Sequence, residues 1–190
     1  MEPLQVLSSV VSSLKSLGIP SMLVGSFASS SYGLARLTQD ADFIVKLNRF
    51  QIDDFVQVFS PEFYVDRGLI EQALTRETSF NIIHFLSSFK VDFFILRKDP
   101  FSEEEFSRKV LKQVYPSAEF TAFVQTPEDA LLSKLGWYRQ GGGVSENQWR
   151  DVIGILKTQA GRLDPAYLQK WALELGIADL LKRARQDAEI

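Results

Sequence analysis

The sequence predicts an α+β fold. A mixed sheet with accompanying helices occupies residues 1–125, and a helical C-terminal segment follows over 126–190. Two observations carry this. Short apolar runs with strand character, at 21–24, 42–47, 81–86 and 91–96, alternate with amphipathic stretches as far as about residue 125. Beyond Thr126 the strand-like runs stop and apolar residues recur at helical spacing.

The elements follow in order. Leu4, Leu7, Val10, Val11, Leu14 and Leu17 mark a first helix closed by Gly18. Residues 21–24 read as a short strand and 26–32 as a short helix ending at Gly33. A second strand spans 42–47, and Asn48 is a good N-cap for a helix over 49–59. Residues 63–65 read as a strand and 69–74 as a short helix. The runs 81–86 and 91–96, joined through Ser87-Ser88, read as a hairpin. Residues 120–124 read as a further edge strand.

In the last third, Thr126-Pro127 is an N-cap with proline at the first helical position. Ser145 and Gln148 form a capping-box pattern ahead of 149–156. Asp164-Pro165 opens another helix, whose apolar stripe continues through Leu173, Ile177, Leu180 and Leu181. Gln140-Gly141-Gly142-Gly143 reads as a loop.

Composition narrows the function. With 45% hydrophobic and 24% charged residues, the chain is an ordinary globular one, and fifteen phenylalanines point to a well-filled core. A net charge of −3 argues against broad non-specific nucleic-acid binding, though not against a local basic patch. The absence of cysteine excludes disulfides, zinc–thiolate sites and iron–sulfur clusters. No apolar run reaches the roughly 18 residues of a membrane span. Met1-Glu2-Pro3-Leu4 lacks the basic start of a signal peptide. The expectation is a cytoplasmic protein without membrane contact.

The chemistry concentrates at Val24-Gly25-Ser26 and at Thr38-Gln39-Asp40-Ala41-Asp42-Phe43-Ile44-Val45. Alternate residues of a strand point to one face, about 7 Å apart, so Asp40 and Asp42 present two carboxylates side by side. Aspartate is depleted within strands, so two at alternate positions need a reason. Paired oxygen ligands suit a hard cation such as Mg²⁺. A glycine turn feeding a helix N-terminus suits a phosphate. Together they suggest metal-assisted chemistry on a nucleoside triphosphate (NTP).

Gly25-Ser26, a spacer and Asp40-x-Asp42 resemble the signature of the polymerase-beta-type nucleotidyltransferase superfamily. That resemblance implies a third carboxylate on a later strand, and Asp92, within Val91-Asp92-Phe93-Phe94-Ile95, is the candidate. Residues 126–135 together with Trp149-Arg150-Asp151-Val152 are similar to the C-terminal helical pattern of small prokaryotic members, which include toxins of abortive-infection systems. The resemblance covers about residues 20–157. It implies transfer of NMP from an NTP to an acceptor hydroxyl with release of pyrophosphate. Asp40, Asp42 and Asp92 would be catalytic and would hold Mg²⁺ or Mn²⁺. Gly25, Ser26 and Lys134 would bind the nucleotide, with Lys134 on the triphosphate. A cognate antitoxin protein is among the partners it implies.

Each of these residues also has a plainer reading. Asp40 and Asp42 fit solvated strand-start positions, Asp92 an exposed strand face, and Lys134 a surface lysine. Ser26 fits a helix cap, which is compatible with phosphate binding. Asp151 fits a solvated helix position. Arg36, Arg76 and Arg139 are weaker phosphate or acceptor candidates. His84, between Ile83 and Phe85, reads as a strand residue. Trp137, Trp149 and Trp171 read as core or interface residues. The acceptor stays open between an RNA end such as that of tRNA, a protein side chain and a small molecule. A non-catalytic nucleotide- or partner-binding module on the same fold is the alternative.

Overall fold

The computed structural model of the chain describes residues 3–33, 38, 40–114 and 120–189. Helix α1 (Pro3–Ser16) buries Val6, Leu7, Val10 and Leu14. Strand β1 (Ser21–Val24) leads directly into α2 (Gly25–Ser30). Strand β2 (Asp40–Val45) follows. Asn48 forms a reciprocal capping box with Gln51 around a single 3-10 turn, Arg49–Gln51, before α3 (Ile52–Phe59). Then come β3 (Phe63–Tyr64), α4 (Arg67–Arg76), β4 (Ser79–His84) and β5 (Lys90–Ile95). Two elements absent from the sequence expectation, α5 (Pro100–Ser107) and β6 (Val110–Gln113), precede β7 (Thr121–Val124).

Among the described residues the sheet has seven strands in the order β3-β4-β5-β2-β1-β7-β6. It is mixed: β2/β5 and β1/β7 are parallel, and the other neighbours are antiparallel. The predicted hairpin is present as β4 and β5. Strand β7 is not an edge strand. It lies between β1 and β6, and β6 is the outer one.

Among the described residues, four helices form the C-terminal segment: α6 (Pro127–Gln140), α7 (Glu146–Thr158), α8 (Pro165–Glu174) and α9 (Ala178–Asp187). Thr126, Ser145 and Asp164 cap the first three by accepting backbone N–H groups. At Ser145 only half of the expected capping box forms, because the side-chain oxygen of Gln148 finds no partner. Gly176, at φ +66°, closes α8 and separates it from α9. Leu173 departs from the expected apolar stripe and is exposed. No helix among the described residues is long and apolar enough to cross a membrane.

One continuous apolar core joins sheet and helices. Period-two alternation sends Phe43 and Phe93 to one face of the sheet, where their rings stack at 5.9 Å. Phe55 of α3 packs edge-on against both Phe93 and Phe80 at 5.5 Å. Leu131, Leu132 and Leu135 of α6 and Val152 and Ile155 of α7 belong to the same core. Burial of that face leaves the even-numbered residues of β2 and β5 on the opposite one.

Candidate active site

The parallel register of β2 and β5 pairs Asp42 with Asp92 and Asp40 with Lys90. Residues paired across a ladder share a face, so the three aspartates and Lys90 stand together, opposite Phe43 and Phe93. On the far side of β5, Asn81 of β4 pairs with Asp92. Thr38 donates its hydroxyl to a carboxylate oxygen of Asp40. Lys90 Nζ lies 2.6 Å from Asp92 Oδ2. Burial, with the charges of Asp40 and Asp92 adding to it, pushes the Asp42 carboxyl up to about 6, against the opposing pull of Lys134 and Lys90.

Gly25 stands directly against this carboxylate. Its φ is +64°, and a Cβ built on it would lie 2.0 Å from Asp42 Oδ2. The glycine is therefore required twice, for its backbone conformation and for the space Asp42 occupies. Ser26 falls in the first turn of α2 and is nearly buried. It does not cap that helix as expected: Val24 holds the N-cap position, with no side-chain cap bond.

Lys134 is not a surface lysine. It is buried on α6, with Nζ 2.9 Å from Asp151 Oδ2. Asp151 is likewise buried, contrary to its plainer reading, and also accepts the Ser29 hydroxyl at 3.4 Å. Lys134's charge nonetheless registers at Asp42. Arg139 is engaged by Asp179, Arg76 ends α4, and Arg36 lies outside the described residues. His84 is a buried strand residue whose Nδ1 is 2.7 Å from the Ser87 hydroxyl.

Sequence reasoning missed Lys90 as a site residue, although strand parity with Asp92 was its signal. Trp171 is core, whereas the Trp137 indole is 52% exposed and packs against Phe94, which shares the carboxylate face.

The donor chemistry suits a divalent cation: three hard carboxylates share one face, and burial, with the charges of Asp40 and Asp92, raises Asp42, a cost that a cation would relieve. Among the described residues, however, no three such groups already converge on one point, and Asp92 is in contact with Lys90. A depression of about 480 Å³ between α8 and α9, lined by Gln169, Lys182 and Arg185 among others, contains none of these carboxylates.

No protein-family model and no curated protein matches the chain. Solved structures do share its fold. The crystal structure of an antigenic nucleotidyltransferase-like protein from Paracoccidioides brasiliensis aligns with a TM-score of 0.66 at 17% identity, over 98% of this chain and 91% of that one. The solution structure of the antibiotic-resistance factor ANT(2'')-Ia aligns with a TM-score of 0.55 at 9% identity, over 97% and 93%. The chain therefore has a nucleotidyltransferase-like fold: a mixed sheet with a helical C-terminal segment.

Proposed function

We propose that the protein is a metal-dependent nucleotidyltransferase. An acceptor hydroxyl attacks the α-phosphorus of an NTP, NMP is joined to the acceptor oxygen, and pyrophosphate leaves. The observation that carries this is the register match of Asp42 with Asp92, with Asp40 on the same face and Gly25 making room for Asp42.

Asp40, Asp42 and Asp92 would hold Mg²⁺ or Mn²⁺. When bound, such ions neutralise the triphosphate and lower the pKa of the attacking hydroxyl. Asp92, on the acceptor side, accepts the proton of that hydroxyl at a carboxylate oxygen. Gly25 lets the backbone approach the phosphates, and Ser26, in the first turn of α2, binds them. Lys134, held by Asp151, supplies a fixed positive charge towards them. The exposed face of Trp137 offers a nucleobase a stacking partner. Positioning and charge neutralisation carry the rate.

Likeness to an antibiotic-resistance factor keeps small molecules among the acceptors, beside RNA ends and protein side chains. Incubation of the chain with each α-labelled NTP and Mg²⁺, against total RNA, total protein and hydroxyl-bearing small molecules, tests the proposal. Label in one acceptor class, lost in Asp42→Asn, is the expected result. Retained nucleotide binding with no label anywhere favours the non-catalytic module instead.

A further inference from the structure

We propose that Lys90 is an internal counter-ion, which holds Asp92 in the metal-free protein and must be displaced for a divalent ion to bind. The inference rests on the metal-binding reading of the three aspartates. Lys90 Nζ is 2.6 Å from Asp92 Oδ2, and the β2–β5 register sets Lys90 opposite Asp40. The ammonium thus contacts Asp92 and stands on the same face as Asp40 and Asp42. A divalent ion and an ammonium cannot both sit against the same carboxylate oxygen without strong repulsion.

The two lysines near the site differ in their freedom to move. The Lys134 side chain is 7% exposed and locked to Asp151, whereas that of Lys90 is 43% exposed. Lys90 can swing its ammonium into water at little cost, because half-exposed ion pairs are weak. It is also a flexible point charge, suited to a phosphate oxygen. A triphosphate arriving with the ion would offer the displaced ammonium a new partner. Metal and nucleotide should therefore bind with positive cooperativity, and by linkage each should tighten the other by the same factor.

Mn²⁺ binding to the full chain, followed by electron paramagnetic resonance with and without a non-hydrolysable NTP analogue, tests this. Wild type is compared with Lys90→Met, Lys90→Gln and Asp42→Asn. Without nucleotide, both Lys90 variants should bind Mn²⁺ about fivefold more tightly than wild type, the factor of one half-exposed ion pair. The analogue should then enhance Mn²⁺ binding less than it does in wild type. If Mn²⁺ binds to wild type, is lost in Asp42→Asn and is unchanged or weaker in both Lys90 variants, the counter-ion role is wrong and the metal site stands. If no form binds Mn²⁺ even with the analogue, both proposals fall.

Discussion

The backbone of Gly25 and the carboxylate of Asp42 occupy adjoining space so closely that a Cβ on residue 25 would fall 2.0 Å from Asp42 Oδ2 and 2.7 Å from its Cγ. The φ of +64° at Gly25 would be strained for any other residue. Gly25→Ala should therefore act on the site more than on the fold. The left-handed backbone should lower stability by about 1–2 kcal/mol. The clash should turn Asp42 away and abolish Mn²⁺ binding. Denaturant melts alongside Mn²⁺ titration check this, and a variant that binds Mn²⁺ normally would show that Asp42 does not need the space.

Asp42 itself gives a prediction with an unusual sign. Its folded carboxyl titrates near 6, above the ordinary 3.8, so the folded state binds the proton more tightly than the unfolded state. Stability is then lost as pH rises between about 4 and 6, and is recovered below 4 where both states are protonated. Asp42→Asn removes this penalty. Without metal it should melt higher than wild type at pH 8, by an amount on the order of 1–3 kcal/mol, and the gain should vanish at pH 4. Added Mg²⁺ should raise the wild-type melting temperature and leave the variant unmoved. A variant that is less stable at pH 8 without metal would contradict the penalty that burial, with the charges of Asp40 and Asp92, places on ionised Asp42.

Much of this site was legible from local periodicity, and the remainder depended on long-range pairing. Asp40 and Asp42 share a face because a strand has period two, which the sequence displays directly. That Asp92 falls opposite Asp42 depends on a parallel pairing of β2 with β5, which no local pattern specifies. Strand β7 was read as an edge for the same reason: its outer partner β6 mixes Val110 and Leu111 with Lys112 and Gln113 and has no clear alternation. Helix α5 was missed because Ser102, Glu103, Glu104 and Glu105 interrupt its apolar pattern. Lys134 and Asp151 looked like surface residues because a charge becomes buriable only when its partner arrives from another helix.

Glu105, in that overlooked helix, supplies a second pH-dependent test. It is 4% exposed and accepts hydrogen bonds from the Gln125 side-chain amide and, at 3.0 Å, from the Ser133 hydroxyl. Burial, with Asp129 adding to it, raises its carboxyl to about 8 from 4.5, so it is mostly protonated at pH 7. The folded protein should lose stability as pH rises between about 4.5 and 8. Glu105→Gln imitates the neutral acid and should be more stable than wild type at pH 9, by a few kcal/mol at most, with little difference at pH 4. Urea melts at the two pH values decide it. Equal wild-type and variant stability at pH 9 would mean that Glu105 ionises without difficulty where it lies.

The structural part of Lys134 is separable from its proposed role at the phosphates. Its ammonium and the Asp151 carboxylate are both buried, 2.9 Å apart. Removal of one partner takes this ion pair away from a charge that stays in the interior, so Lys134→Met alone should destabilise, by up to about 3–5 kcal/mol. Asp151→Asn alone should also destabilise, because it leaves the lysine unneutralised. Lys134→Met with Asp151→Leu replaces the pair by apolar groups and should recover most of the loss. If Lys134 also serves the triphosphate, the double variant should be stable yet bind NTP more weakly, by about 1.5–3 kcal/mol, the scale of a hydrogen bond to a charged group. That defect should be the same for every acceptor tested. Nucleotide titration calorimetry on the double variant makes the distinction. A stable double variant with wild-type NTP affinity would leave Lys134 as an internal strut between α6 and α7 and remove it from the nucleotide site.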